Sequence, residues 1–347
     1  MRNVALILAI LVFVPGSSLC GAARPVIFAS YAGDSEQLHN TLILVESIRT
    51  FGGQFADAPV WVYAPGSLLK TQENLVKRFA SLGADVRSSD TPRDSREVPY
   101  AGKVFAAAHA EAAAKGAASI LVWMDEDTVV LMEPRELLLV QGKSLGYRPV
   151  MHRNIGSLYS EKPDAFWRRV YEKLSVPESA AFPMKTVADG KTIRPYFNAG
   201  LLAVRPERGL LNKWAEAFSA LYRDPVLVDI CKKDERARIF LHQAALSGAI
   251  MKNLGRGEMA LLPDSYNYPV FFKEAYGVDK AFDTLDGVVT LRYDVYFKNP
   301  APDWSAKLKG PEATVSWLET RLGRKSGTGN DVDTKMRSKF QRGGKPS

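Results

Sequence analysis

An α/β architecture with a mostly parallel, helix-flanked sheet follows from three features of the sequence. Apolar runs of strand length at Pro25–Tyr31, Val60–Tyr63 and Ala84–Arg87 alternate with helix-periodic segments. That β-α-β-α-β rhythm is the pattern of a Rossmann-like parallel sheet covered by helices. An alanine-rich helix beginning at Lys103 then feeds another apolar run, Ile120–Met124. Finally, 347 residues with 46% hydrophobic and 24% charged content are enough for a sizeable core.

In chain order, the first 23 residues carry Arg2, an unbroken apolar run from Val4 to Val14, then Pro15-Gly16-Ser17-Ser18 and Ala22-Ala23. This is a secretory signal-peptide pattern, so export to the periplasm, the medium or a secretory pathway is expected. The run is too short for an ordinary membrane span, and no other stretch could cross a bilayer. A lipid anchor at Cys20 is the rival reading, and Leu19 before it fits poorly where a small residue is expected. Asp34 or Ser35 caps a helix to about Thr50, with Leu38, Leu42, Val45 and Ile48 on its apolar face. Gly52-Gly53 stops it. A helix from Ser67 to near Gly83, a mobile polar loop over Ser88–Val98, and the Lys103–Lys115 helix follow. His109 reads as a packed or surface histidine.

Beyond Ile120–Thr128 the sequence predicts a short helix from Glu133-Pro134, a strand over Ser144–His152 and an amphipathic helix over Pro163–Leu174. A strand over Arg194–Val204 comes next, then helices over Glu207–Leu221 and Arg236–Ile250. The chain continues with an aromatic turn at Leu262–Pro269, a strand at Val288–Tyr293 and a closing helix at Glu312–Leu322. Residues 24–322 read as a single domain, a nucleotide half over 24–130 and an acceptor half over 131–322. The stretch 323–347 reads as a disordered basic tail.

The formal charge of +8 does not point to nucleic acid. From Arg321 to Ser347 eight basic residues face Asp331 and Asp333, so that segment carries +6 and everything before it only +2. Once the signal is removed Cys231 is the sole cysteine, which excludes an intrachain disulfide and cysteine-based zinc sites. There is no P-loop, and Gly327-x-Gly329 lies in the tail outside any strand–helix context. No Gly-x-Ser-x-Gly elbow occurs. The histidines His39, His109, His152 and His242 lack zinc-motif spacing.

Asp125-Glu126-Asp127, at the end of the apolar run, is the sharpest chemical signal. In an extended chain residues i and i+2 point the same way, roughly 6.5–7 Å apart, so both aspartates can converge on one ligand. Strand ends are where ligands bind in open α/β sheets, and paired carboxylates suit a divalent cation shared with phosphate oxygens. The plain alternative is a polar turn.

The ordered set Ala29-Ser30-Tyr31, Lys103, Asp125-Glu126-Asp127, Phe197-Asn198-Ala199-Gly200, His242-Gln243 and Leu262-Pro263 with Tyr266-Asn267 resembles the GT-A glycosyltransferases. The closest likeness is to the family that includes glycogenin and the bacterial lipopolysaccharide galactosyltransferases, over about residues 25–300. The resemblance implies a GT-A fold and a retaining transfer of a sugar from a nucleotide-diphosphate sugar to a glycan, lipid or protein acceptor. It implies Mn2+ or Mg2+ held by Asp125 and Asp127. Ala29, Ser30 and Tyr31 match the strand end that meets the nucleoside, and Lys103 the basic residue near the diphosphate and sugar. Asn198 and Gly200 match the loop at the donor sugar, and Gln243 the glutamine beside the reacting sugar. Taken singly, Asn198 is equally a turn residue and Gln243 a helix-surface amide.

Two departures stand out. His242 occupies a position where the family has an aspartate. The late strand Thr290–Tyr296 contains no histidine to serve as a third metal ligand, leaving Tyr293 or Asp294 as the candidates there. With the export signal, these departures also admit an exported, non-catalytic GT-A-like protein that binds glycan or nucleotide. A glycoside hydrolase fits less well, because it needs carboxyl groups on opposite sides of the scissile bond.

Overall fold

A computed structural model of the chain describes residues 24–270, 282, 284–293 and 303–322. The expected signal peptide with Cys20, Asp294 and the basic tail 323–347 lie outside the described residues. The first stretch runs β1 (Arg24–Tyr31), α1 (Ser35–Phe51), β2 (Val60–Ala64), α2 (Gly66–Thr71), α3 (Glu73–Ser81), β3 (Ala84–Ser88), α4 (Ala101–Ala114) and β4 (Ala118–Met124). Next come β5 (Thr128–Val130), β6 (Leu145–Pro149), α5 (Ala165–Leu174), β7 (Met184–Lys185), β8 (Thr192–Ile193) and β9 (Phe197–Val204). The last stretch holds α6 (Leu210–Tyr222), α7 (Pro225–Lys233), α8 (Glu235–Asn253), β10 (Met259–Leu261), β11 (Tyr268–Pro269), β12 (Thr290–Arg292) and α9 (Glu312–Leu322).

Seven strands form one sheet in the order β10-β6-β9-β4-β1-β2-β3. The pairs β3–β2, β2–β1, β1–β4 and β10–β6 are parallel, whereas β9 is antiparallel to both β4 and β6. The Rossmann-like, mostly parallel sheet is therefore present, with one reversed strand inside it. That reversal sets the start of β9 beside the end of β4, on the edge where α/β sheets bind ligands.

Alternate strand residues feed two apolar layers, as a two-residue period requires. Ile27, Ala29, Leu121 and Trp123 pack with α4, α5, α6 and α8, while Val26, Phe28, Ile120 and Val122 pack with α1 and α3. Helix α4 is wedged between the sheet and α6, with Ala106, Ala107 and Ala110 fully buried, because only small side chains allow so close an approach. Asp34 is the cap of α1, accepting a hydrogen bond from the Gln37 N–H at 2.8 Å. After the Asp125–Asp127 turn the chain leaves this sheet. Strand β5 pairs antiparallel with β12 in a small sheet of order β11-β12-β5. Val129, Leu291, Trp317 and Leu318 pack beneath it.

Several elements differ from the sequence expectation. The Ser67–Gly83 helix is broken at Gln72 into α2 and α3, since α3 must turn to bury Leu75 and Phe79 while α2 buries nothing. Helix α7 was not anticipated, although Asp224 as cap and Pro225 at the first turn are its ordinary start signals. The Ser88–Val98 loop, expected to be mobile, is anchored. Ser89 Oγ meets His109 Nδ1 at 2.9 Å, Asp94 pairs with Arg223 at 2.6 Å, and Ser95 is buried. The strand expected from Ser144 shrinks to β6, and Glu207–Arg208 belong to a separate turn that Gly209 ends before α6. Among the described residues no helix is long and apolar enough to cross a membrane.

The fit of α4 gives a stability test. Ala107→Leu overpacks a site with no free space and should cost about 1–3 kcal/mol in chemical denaturation. An unchanged midpoint and slope would show that α4 is not closely packed.

Candidate active site

Asp125, Glu126 and Asp127 form a turn between β4 and β5 rather than an extended strand end. The two carboxylates converge as expected, but the turn is what brings them together. Both are buried and both reach the guanidinium of Arg292: Nη2 lies 3.6 Å from Asp125 Oδ2 and Nε 3.4 Å from Asp127 Oδ1. On the other side Lys103 Nζ lies 2.5 Å from Asp125 Oδ1. Glu126 is half-buried between them. Burial, then Asp127 and Asp125, push its carboxyl well above the usual range, so it holds its proton more tightly than a free glutamate.

The reversed strand supplies the next group of residues. The Asp125 N–H donates to the Gly200 carbonyl at 2.8 Å, locking the turn to β9. Asn198–Gly200 are among the first residues of strand β9 rather than the turn or loop expected, and there the Gly200 N–H donates to Asn198 Oδ1 at 2.7 Å. A Cβ at Gly200 would stand 2.9 Å from both Asn198 Oδ1 and Asp125 Oδ2 and 3.2 Å from Arg292 Nη1, so a glycine is needed for this crowding. Gln243 is buried in α8, not on its surface. Its Oε1 accepts from the Ala199 N–H at 3.1 Å and its Nε2 donates to the Tyr196 hydroxyl at 3.3 Å.

His242 lies next to this group. Its ring stacks on Tyr100 at 4.2 Å, and Lys103 Nζ is 5.7 Å from the other ring of that stack. Burial first, then Lys103 and Arg292, depress its pKa well below the ordinary value, so the imidazole is neutral. Tyr100 itself has a left-handed backbone, φ 62°, directly before α4. Of the expected nucleoside-facing trio, Ala29 and Ser30 are fully buried in β1, whereas Tyr31 is half-buried at the strand end. Tyr31 packs over Gly102, where an added Cβ would fall 2.1 Å from its hydroxyl. The buried Ser30 Oγ has no hydrogen-bond partner among the described residues.

The structure thus brings together Lys103, Asp125, Asp127, Asn198, Gly200, His242 and Gln243 at one sheet edge, with Tyr31 at its rim. Arg292 and Tyr100 were not among the residues anticipated. For Arg292 there was a signal, a lone cation in an apolar strand.

A family model described as the Rhodobacterales glycosyltransferase domain matches residues 31–255, well over half of the chain. The protein belongs to this family. It is a glycosyltransferase. No curated protein sequence matches the chain. Among solved structures it is similar to mouse xyloside xylosyltransferase 1, at 12% identity over 79% of this chain and 98% of that one, with a TM-score of 0.42. The galactosyltransferase LgtC, crystallised with donor and acceptor sugar analogues, shares 14% identity over 90% of this chain and 99% of its own, TM-score 0.44. Core-mannan synthase A of Aspergillus fumigatus, in a Mn/GDP form, shares 9% over 72% and 75%, TM-score 0.44.

The Mn2+ or Mg2+ expected at Asp125 and Asp127 does not fit the donor set of this glycosyltransferase as it stands. Both carboxylates are engaged by tethered cations. A dication there would share the two aspartates with Lys103 and Arg292, whose like charge offsets part of its attraction to them. Among the described residues no group of three or more His, Cys, Asp or Glu side chains is arranged to hold a metal. Tyr293 does not complete a ligand set: burial, with Asp127 and Glu126 nearby, raises its pKa well above normal, and its hydroxyl faces the Glu126 carbonyl at 3.5 Å.

Two outcomes follow. Gly200→Ala should displace the Asp125 carboxylate and lower transferase activity roughly 10–100-fold with little change in melting temperature. Full activity would show that the close approach at Gly200 is dispensable. His242 gives a pH signature. The unfolded chain protonates this ring below about pH 6.5 while the folded chain keeps it neutral, so the unfolded state binds more protons and stability falls on acidification from there. Denaturation at about pH 7.5 and pH 5.5 should show a smaller loss for His242→Gln than for the parent. An equal loss would contradict the neutral buried ring.

Proposed function

We propose that the protein transfers a sugar from a nucleotide-diphosphate donor to a glycan, lipid or protein acceptor, with retention at the anomeric carbon. The reading is carried by one observation: the Asp125 turn, the Asn198–Gly200 segment of β9, Gln243 and two cations meet where β4 ends and β9 begins. In this reading Tyr31 and the end of β1 border the nucleoside. Asn198, Gly200 and Gln243 border the sugar, their amides already fixed by hydrogen bonds at the start of β9. The leaving diphosphate gathers negative charge as the glycosidic bond breaks, and positive charge held in place beforehand stabilises it without reorganisation. Neutral His242, stacked on Tyr100, supports a sugar contact that needs no carboxylate at that position. Retention is supported by the resemblance to retaining enzymes, and export by the pattern of the first 23 residues.

Incubating the purified chain with a panel of nucleotide sugars, and following release of the nucleoside diphosphate, tests the assignment. Turnover of at least one donor is expected, with Gln243→Ala and Asn198→Ala each lowering kcat by about 100-fold while the fold survives by circular dichroism. Absence of both binding and turnover for every nucleotide sugar would overturn it.

A further inference from the structure

We propose that Arg292, with Lys103, is the protein's own diphosphate-binding cation, so that donor binding requires no divalent metal. Asp125 and Asp127 are then positioning residues that hold the two cations in place. The proposal rests on the donor-site reading above and deepens it by naming what meets the diphosphate.

Three features of the structure point this way. The backbone, and not a chance rotamer, puts Arg292 there: β12 pairs antiparallel with β5 so that Arg292 lies opposite Thr128, and the Tyr293 N–H donates to the Asp127 carbonyl at 3.0 Å. Space has been left for it, since Gly200 lacks the Cβ that would stand 3.2 Å from Arg292 Nη1. The two cations also differ in how tightly they are held. Lys103 is buried and bound to Asp125 at 2.5 Å, whereas Arg292 makes contacts of 3.4–3.6 Å with a side chain 26% exposed. The guanidinium thus touches both carboxylates while part of its surface stays exposed.

Chemistry favours the same assignment. A guanidinium stays charged at every accessible pH and presents a planar fork of N–H donors that matches phosphate oxygens. Charge-assisted, bidentate contacts of this kind are among the strong hydrogen bonds.

Calorimetric titration of the full chain with UDP, GDP, ADP, CDP and TDP, and with the matching monophosphates, tests this in EDTA and in excess Mn2+. The nucleoside diphosphate that binds should do so with affinities within about twofold in the two buffers, and more tightly than its monophosphate. Arg292→Ala should weaken the diphosphate about tenfold in EDTA and leave the monophosphate nearly unchanged. Asp127→Asn should loosen the guanidinium and weaken the diphosphate about twofold, alike in EDTA and in excess Mn2+. The metal-bound alternative predicts a loss confined to the Mn2+ buffer. The proposal is overturned if chelation abolishes binding by the parent chain, a result that needs no variant to fold. It is overturned as well if Asp127→Asn loses Mn2+-dependent binding while Arg292→Ala binds like the parent. If no nucleoside diphosphate binds in either buffer, the donor-site reading itself falls, and this proposal with it.

Discussion

The hydrogen bond from the Asp125 N–H to the Gly200 carbonyl ties the end of β4 to the start of the reversed strand β9, and the site depends on it. Parallel strands present their C-terminal ends on one edge of the sheet. An antiparallel neighbour contributes the opposite end of its chain to that edge, so the first residues of β9 can face a turn leaving β4. Asn198 and Gln243 then fix that strand end, one from within it and one from α8 behind it. The carboxylate turn and the amide-bearing strand end thus come from distant parts of the sequence and share one short length of sheet.

The same turn also changes sheets. Asp127 is followed at once by β5, which leaves the seven-stranded sheet and pairs with β12. This small sheet carries Arg292 back to the aspartates from a position 165 residues downstream. A buried ion cluster of this kind is weak evidence for stability, because desolvating its charges offsets much of the attraction between them. Its place at the edge where α/β sheets bind ligands accords with the recognition proposed above.

The fold was legible because its signals are local. The apolar runs at Val60–Ala64 and Ala118–Met124, the cap at Asp34 and the alanines of α4 each specify their own element. The Asp-x-Asp and the Phe197-Asn198-Ala199-Gly200 run were legible as motifs, but not as neighbours, since strand direction is invisible along the chain. Ala29 and Ser30 illustrate the limit of a motif read by position: both lie inside β1, and only Tyr31 reaches the rim. Arg292 was overlooked for a physical reason. It stood out only as a lone cation in an apolar strand, and its role exists only through the pairing of β12 with β5. Gln243 shows the reverse case, a residue whose surface-amide reading fails because β9 covers it.

A crystal of the full chain grown with the nucleoside diphosphate and Mn2+, with diffraction data collected at the manganese absorption edge, tests the central claim most directly. The account predicts diphosphate oxygens on the Arg292 guanidinium and Lys103 Nζ, with no anomalous peak between Asp125 and Asp127. A manganese peak bridging those two carboxylates and the diphosphate, with Arg292 turned away, would contradict it.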